Sequence, residues 1–215
     1  MIGVFDSGAG GIISYREIRK SQPRADLIYL ADRKNAPFGT KAAEEILNLT
    51  TNGLTRLREL GAEKILIACC SASTLYDRLP SKLQKISIPI IRPAARECRG
   101  SRSVVVIATE HTARCGAFRL EIAKFSDASV KEIPMQSLVH TIEWGEDTKI
   151  YIEKIKEHCR EADTLILGCT HFSHLFDALK DVLPKVKIIS PAHIGAVEMT
   201  KIKIDRGCGR DIYTS

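Results

Sequence analysis

The stretch Ile65-Leu66-Ile67-Ala68-Cys69-Cys70-Ser71-Ala72-Ser73 decides how this chain folds, because the other half carries a counterpart, Leu165-Ile166-Leu167-Gly168-Cys169-Thr170-His171. Each is a short apolar run that ends on a thiol followed by hydroxyl residues. Such a run predicts a parallel strand covered on both faces. The two cysteines lie 100 residues apart in a chain of 215, close to half its length. A second echo sits 102 residues apart, between Ile2-Gly3-Val4-Phe5-Asp6-Ser7 and Val104-Val105-Val106-Ile107-Ala108-Thr109. Two related lobes are therefore expected, with Asp6, Cys69, Thr109 and Cys169 all at strand ends. Ligands of open α/β sheets bind outside the carboxyl ends of the strands. One thiol on each side of a shared cleft points to chemistry that moves a proton from one face of a carbon to the other.

Working outward, apolar runs predict strands at 2–5, 26–30, 64–69, 87–91, 103–108, 129–133, 163–168 and 185–189. Helical patterns lie between them at 10–20, 42–60, 72–85, 112–124, 148–161, 172–182 and 192–200. This alternation is that of an α/β protein. It predicts two pseudo-symmetric lobes, each a largely parallel sheet flanked by helices, with the active site in the cleft between them. The first lobe is placed at 1–92 plus 190–215 and the second at 93–189, with a crossover near Pro89–Pro93. Ile212-Tyr213-Thr214 can be read as a last short strand.

Composition bounds the function. Apolar residues make up 44% and charged residues 27%, enough for a sizeable core. The net charge of +6 comes without a basic block or a basic stripe with interleaved aromatics, so no nucleic-acid partner is expected. No apolar run approaches membrane-spanning length, so no membrane partner is expected either. Seven cysteines are an odd number, and Met1-Ile2-Gly3-Val4-Phe5-Asp6 reads as a buried strand rather than a targeting segment. Free thiols in a reducing, cytoplasmic compartment follow.

Asp6-Ser7-Gly8-Ala9-Gly10-Gly11 follows the first strand and opens a helix. Its glycines would let backbone amides approach a ligand. It is not the dinucleotide fingerprint, and no P-loop lysine accompanies it; phosphate cradling and a purely structural turn both stay open. A buried cysteine is ordinarily inert packing. Two at matching strand ends, each followed by a helix N-terminus that would favour thiolate, read as functional. His171 could trade a proton with Cys169, and Asp6 with Cys69. Zinc on Cys69, Cys70, Cys169 and His171 lacks any C-x-x-C pair, so no metal is expected. The loop Ala31-Asp32-Arg33-Lys34-Asn35-Ala36-Pro37-Phe38-Gly39-Thr40 is either a plain connection or an anion site built on the Phe38 and Gly39 amides.

Taken together and in order, Phe5-Asp6-Ser7-Gly8-Ala9-Gly10-Gly11, Tyr29-Leu30-Ala31-Asp32 with Pro37-Phe38-Gly39, Ala68-Cys69 with Ala72-Ser73, Ala108-Thr109 with Thr112, and Leu167-Gly168-Cys169-Thr170-His171 resemble the glutamate racemases. These are cofactor-independent members of the aspartate/glutamate racemase superfamily, and the resemblance covers nearly the whole chain. It implies interconversion of L- and D-glutamate by two bases, without a cofactor, to supply D-glutamate for peptidoglycan. Cys69 assisted by Asp6 would act on the D-enantiomer, and Cys169 assisted by His171 on the L-enantiomer. Ser7 and Thr170 would hold the ammonium and carboxylates. Cys70, Ser71 and Thr112 would line the amino-acid pocket. Phe38 and Gly39 amides would meet the side-chain carboxylate, with Asp32 and Pro37 from the same loop counted among the binding positions. The family also implies a homodimer.

The chain departs from the family pattern in several places. The usual Cys-Asn-Thr-Ala-Ser is Cys69-Cys70-Ser71-Ala72-Ser73, so an amide donor is replaced by a thiol, a weak donor. Pro-Tyr-Gly is Pro37-Phe38-Gly39, and the Tyr-Pro that follows the histidine is Phe172-Ser173. A Leu-Val-Glu stretch is matched to Leu138-Val139-His140, which would remove an acidic helper from His171 unless Glu143 substitutes. The chain is shorter than usual, without a closing C-terminal helix. These departures keep two rivals in view: a racemase of another amino acid such as aspartate, and a non-catalytic ligand-binding relative.

Overall fold

A computed structural model describes residues 1–202 and 207–215; the placement of 203–206 in the first lobe lies outside the described residues. Two sheets of parallel strands carry the fold. The first contains β1 (Ile2–Asp6), β2 (Leu27–Ala31), β3 (Lys64–Ile67), β4 (Ser87–Pro89) and, near the C-terminus, β9 (Asp211–Thr214), in the order β4-β3-β1-β2-β9. The second contains β5 (Ser103–Ala108), β6 (Ser129–Pro134), β7 (Thr164–Gly168) and β8 (Lys187–Ile189), in the order β6-β5-β7-β8. Read from the cysteine side, β4-β3-β1-β2 and β8-β7-β5-β6 are the same permutation. The internal echo of the sequence is thus an echo of topology, and Cys69 and Cys169 follow equivalent strands.

Helices cover both faces of each sheet, as a parallel sheet requires. α1 (Ile12–Ser21), α5 (Ile91–Arg96), α7 (Ala117–Ile122) and α11 (Pro191–Thr200) pack in series between the sheets. Their apolar faces join Val4 and Leu66 of one sheet to Val106 and Ile166 of the other in a single core. The outer face of the first sheet is closed by α2 (Ala43–Glu59), whose buried Ile46, Thr50, Leu54 and Leu57 fall on one helical stripe. A separate core lies on the outer face of the second sheet, under α8 (Gln136–Glu143), α9 (Lys149–His158) and α10 (Phe176–Val182). β9 is held by its pairing with β2 and by the Asp211 carboxylate, which takes hydrogen bonds from Tyr15 and Arg19 of α1. Among the described residues, no helix is long and apolar enough to cross a membrane.

Several expected elements differ. The helix expected over 72–85 is two short ones, α3 (Cys70–Ser73) and α4 (Ser81–Gln84), with a 3-10 turn at Tyr76–Arg78 between them. Pro80, without an N–H, starts the second piece instead of continuing the first. The helix expected over 112–124 breaks into α6 (Glu110–Arg114) and α7 at Gly116, whose φ of 65° is left-handed. Two helices went unread. α5 occupies the expected crossover, and α8 follows β6 on the cleft side.

Candidate active site

β1, β3, β5 and β7 all end at one cleft between the lobes. It is lined by residues of both, among them Ser7, Phe38, Cys69, Cys70 and Ser71 from the first and Thr109, Gln136, Cys169, Thr170 and His171 from the second. The seam is tight. A Cβ on Gly10 would come within 2.8 Å of Thr170 Cβ and 3.0 Å of the His171 nitrogen, so only glycine lets the first loop lie against the second cysteine loop. Hydroxyls join the lobes deeper down: Ser71 Oγ lies 3.0 Å from Thr109 Oγ1 and 3.3 Å from Thr112 Oγ1.

On the first side, the Ser7 hydroxyl is 3.2 Å from the Cys69 sulfur, and the Ala72 amide reaches the same sulfur at 3.5 Å. Asp6 is buried beneath the glycine loop. Its Oδ2 accepts from the Gly8 and Gly11 amides at 3.1 and 3.0 Å, while Oδ1 has no partner. Those amides serve the protein's own carboxylate, so they do not form a phosphate cradle. Burial pushes the Asp6 carboxyl above its usual range, against the opposing pull of His171 and these amides.

On the second side, His171 Nδ1 is 3.7 Å from the Cys169 sulfur. Its other nitrogen, Nε2, lies 2.9 Å from the Glu143 carboxylate, but off the line of an N–H bond. The contact is therefore a close approach of ring and carboxylate rather than an aligned hydrogen bond. The acid beside His171 is Glu143, one turn beyond the Leu138-Val139-His140 match; His140 is exposed and its ring sits 6.4 Å from that of Trp144.

The expectation that helix ends would favour thiolates is overturned. Burial pushes the Cys69 thiol up to about 11, helped by the nearby Asp6 charge, and it raises Cys169 and Cys70 as well. α3 has only four residues, and the chain after Cys169 is a 3-10 turn (Thr170–Leu175), so neither amide set offsets the loss of solvent. Burial thus favours the neutral thiol at both positions.

Of the residues read from the sequence, Ser7, Pro37, Phe38, Gly39, Cys69, Cys70, Ser71, Cys169, Thr170 and His171 line the cleft. Asp6 and Thr112 are buried behind it, Thr112 bonded to Thr109 at 3.0 Å. Asp32 is not among the lining residues; its carboxylate takes both bonds from the Asn35 amide and shapes the turn at Arg33–Asn35. Gln136 and Val139 line the cleft unannounced. With Glu143 they fall on one face of α8 at helical spacing, which is the signal in the sequence that would have found them.

The chain matches the Asp/Glu/Hydantoin racemase family over residues 15–199. It is 34% identical over 215 residues to a glutamate racemase of Persephonella marina, covering 95% of this chain and 83% of that one. Among solved structures, the glutamate racemase of Francisella tularensis in complex with D-glutamate superposes with a TM-score of 0.88 at 27% identity, covering 99% and 86% of the two chains. The Thermus thermophilus glutamate racemase in complex with beta-chloro-D-alanine gives 0.82 at 28%, covering 100% and 87%. The protein is an amino-acid racemase, and so an isomerase. The chain belongs to the Asp/Glu/Hydantoin racemase family.

Proposed function

We propose that this protein interconverts L- and D-glutamate by exchanging the Cα proton between two thiols, Cys69 on one face of the substrate and Cys169 on the other. The reading rests on one observation: two buried thiols, at the ends of equivalent strands in opposite lobes, line a single cleft and each has its own proton-handling neighbours. Glutamate as the substrate is supported by relatives named for it and by D-glutamate in the Francisella tularensis site. The lobes that close on it are 1–92 plus 190–215 and 93–189, a division supported by β9 completing the first sheet and α11 packing on α1.

An amino-acid α-proton is very weakly acidic, so one sulfur must be ionised while the other carries a proton. The Ser7 hydroxyl and Ala72 amide would hold a Cys69 thiolate, and the imidazole would hold or return the proton of Cys169. Donors fixed around a water-poor cleft stabilise the carbanionic transition state without reorganising. The apparent ionisations belong to each thiol with its partners, not to a sulfur alone. The D-glutamate formed would serve peptidoglycan synthesis in the cytoplasm, and the protein would act as a homodimer.

The test is to incubate the protein with L- or D-glutamate in D2O and follow Cα deuteration by NMR and chirality by circular dichroism. Deuteration with inversion from both enantiomers is expected, with Cys69→Ala and Cys169→Ala each slower by roughly 10³-fold. Silence with glutamate but exchange with aspartate or another amino acid would replace the substrate. Silence with all would make the protein a ligand-binding relative.

A further inference from the structure

The wall of the cleft holds one polar group that the proposed chemistry does not use. Gln136, the first residue of α8, lines the cleft, and its amide nitrogen is buried without a hydrogen-bond partner. The amide's orientation follows from its other end: Oε1 faces the Glu110 N–H at 3.4 Å, a donor that only an oxygen can meet. Oε1 also lies where a side chain on Gly39 would be, so the amide sits against the Pro37-Phe38-Gly39 turn. A buried donor without a partner is rare and calls for one, and a carboxylate oxygen is the strongest acceptor an amino acid can bring. Elsewhere on the cleft wall stands Cys70, whose thiol is only a weak donor.

We propose that Gln136 positions the substrate, its Nε2 donating a hydrogen bond to the side-chain carboxylate and selecting an acidic amino acid. The inference rests on the glutamate racemase reading above. It places an amide donor on the second lobe, facing the Pro37-Phe38-Gly39 turn of the first, so that the carboxylate is held across the seam. Gln136 touches no proton in flight; its effect belongs to binding.

Steady-state racemisation of L- and D-glutamate is measured for the wild type, Gln136→Met and Gln136→Glu, together with thermal unfolding. Gln136→Met keeps the shape and removes the donor; a KM higher by about tenfold in both directions is expected, with a smaller change in kcat. Gln136→Glu adds a like charge and should raise KM further, by about a hundredfold. Unfolding midpoints within about 3 °C of wild type would show that binding, not packing, had changed. An unmoved KM in Gln136→Met, or a loss confined to kcat, would overturn the proposal; should that variant not fold, glutamate binding by Gln136→Glu as tight as wild type would do the same. Wild type silent on glutamate would instead remove the parent reading, and this one with it.

Discussion

In the first lobe the carboxylate at the cleft is Asp6, 1% exposed and bonded to two backbone amides; in the second it is Glu143, 36% exposed and lying 2.9 Å from His171. The scaffolds around them are equivalent. β1 and β5 occupy the same place in their sheets, and a displacement of 102 residues sets Asp6 opposite Ala108 and Ser7 opposite Thr109. Likewise His171 is the positional counterpart of Ser71. Each lobe thus places the proton partner proposed for its thiol where the other has none: on the neighbouring strand in the first, two residues past its own thiol in the second. Ser71, the counterpart of His171, and Thr109, the counterpart of Ser7, lie 3.0 Å apart across the seam. A duplicated fold supplies two opposed thiols, while different residues on that fold set different conditions for moving a proton.

If that difference matters, removing the two carboxylates should not be equivalent. Asp6→Asn is expected to lower kcat/KM by roughly 10²-fold, because a buried base beside Cys69 is lost. The loss should be equal from L- and from D-glutamate, since racemisation has an equilibrium constant of one. Glu143→Gln should cost only about tenfold, as its half-exposed carboxylate meets His171 off the line of a hydrogen bond. Equal losses in the two variants, measured side by side, would erase the distinction between the lobes.

The thiols offer a second handle. Iodoacetamide attacks the thiolate, so a thiol pushed up by burial should label slowly at pH 7. Below its pKa, the Cys69 rate should climb by about tenfold per pH unit from 7 to 10. Cys169, also raised, should reach no plateau by pH 9. Peptide mass spectrometry assigns each adduct, and a plateau below pH 8 at either cysteine would show a thiolate stabilised in the free protein.

The smallest expected effect concerns the seam itself. Gly10→Ala places a methyl against Thr170 and the backbone of His171 and should destabilise the fold by about 1–3 kcal/mol in urea titration. Racemisation should fall as well, because the second cysteine loop must shift. An unchanged midpoint would mean that the lobes already part easily at this point.

Much of this was legible beforehand. The eight strands read from apolar runs all form; β1, β2 and β7 are buried on both faces and carry the plainest signal, whereas β6 is half-buried at best. The two thiols were legible too, because each follows a short apolar run, Ile65–Ile67 and Leu165–Leu167. Helix continuity was less legible. Over 72–85 and 112–124 the periodic pattern continues across Pro80 and Gly116, but the backbone obeys the proline and the left-handed glycine. The charge state of the cysteines was misread for a related reason. Sequence shows the helix ends that would favour a thiolate, but not the burial that outweighs them.

The sequence by itself determined the α/β class, the duplication and the identity of the two thiols, because periodicity and spacing are local properties of a chain. Only the tertiary structure decided that Glu143 rather than His140 stands beside His171, that Asp32 is bonded to Asn35 and absent from the cleft lining, and that Gln136 lines the cleft with a buried, unpartnered amide nitrogen. These depend on how α8 is rotated as it packs across the second sheet and on how closely Gly10 and Gly39 let the lobes approach. Burial of the thiols is likewise tertiary, since Cys69 and Cys169 each sit in the apolar core of their own lobe.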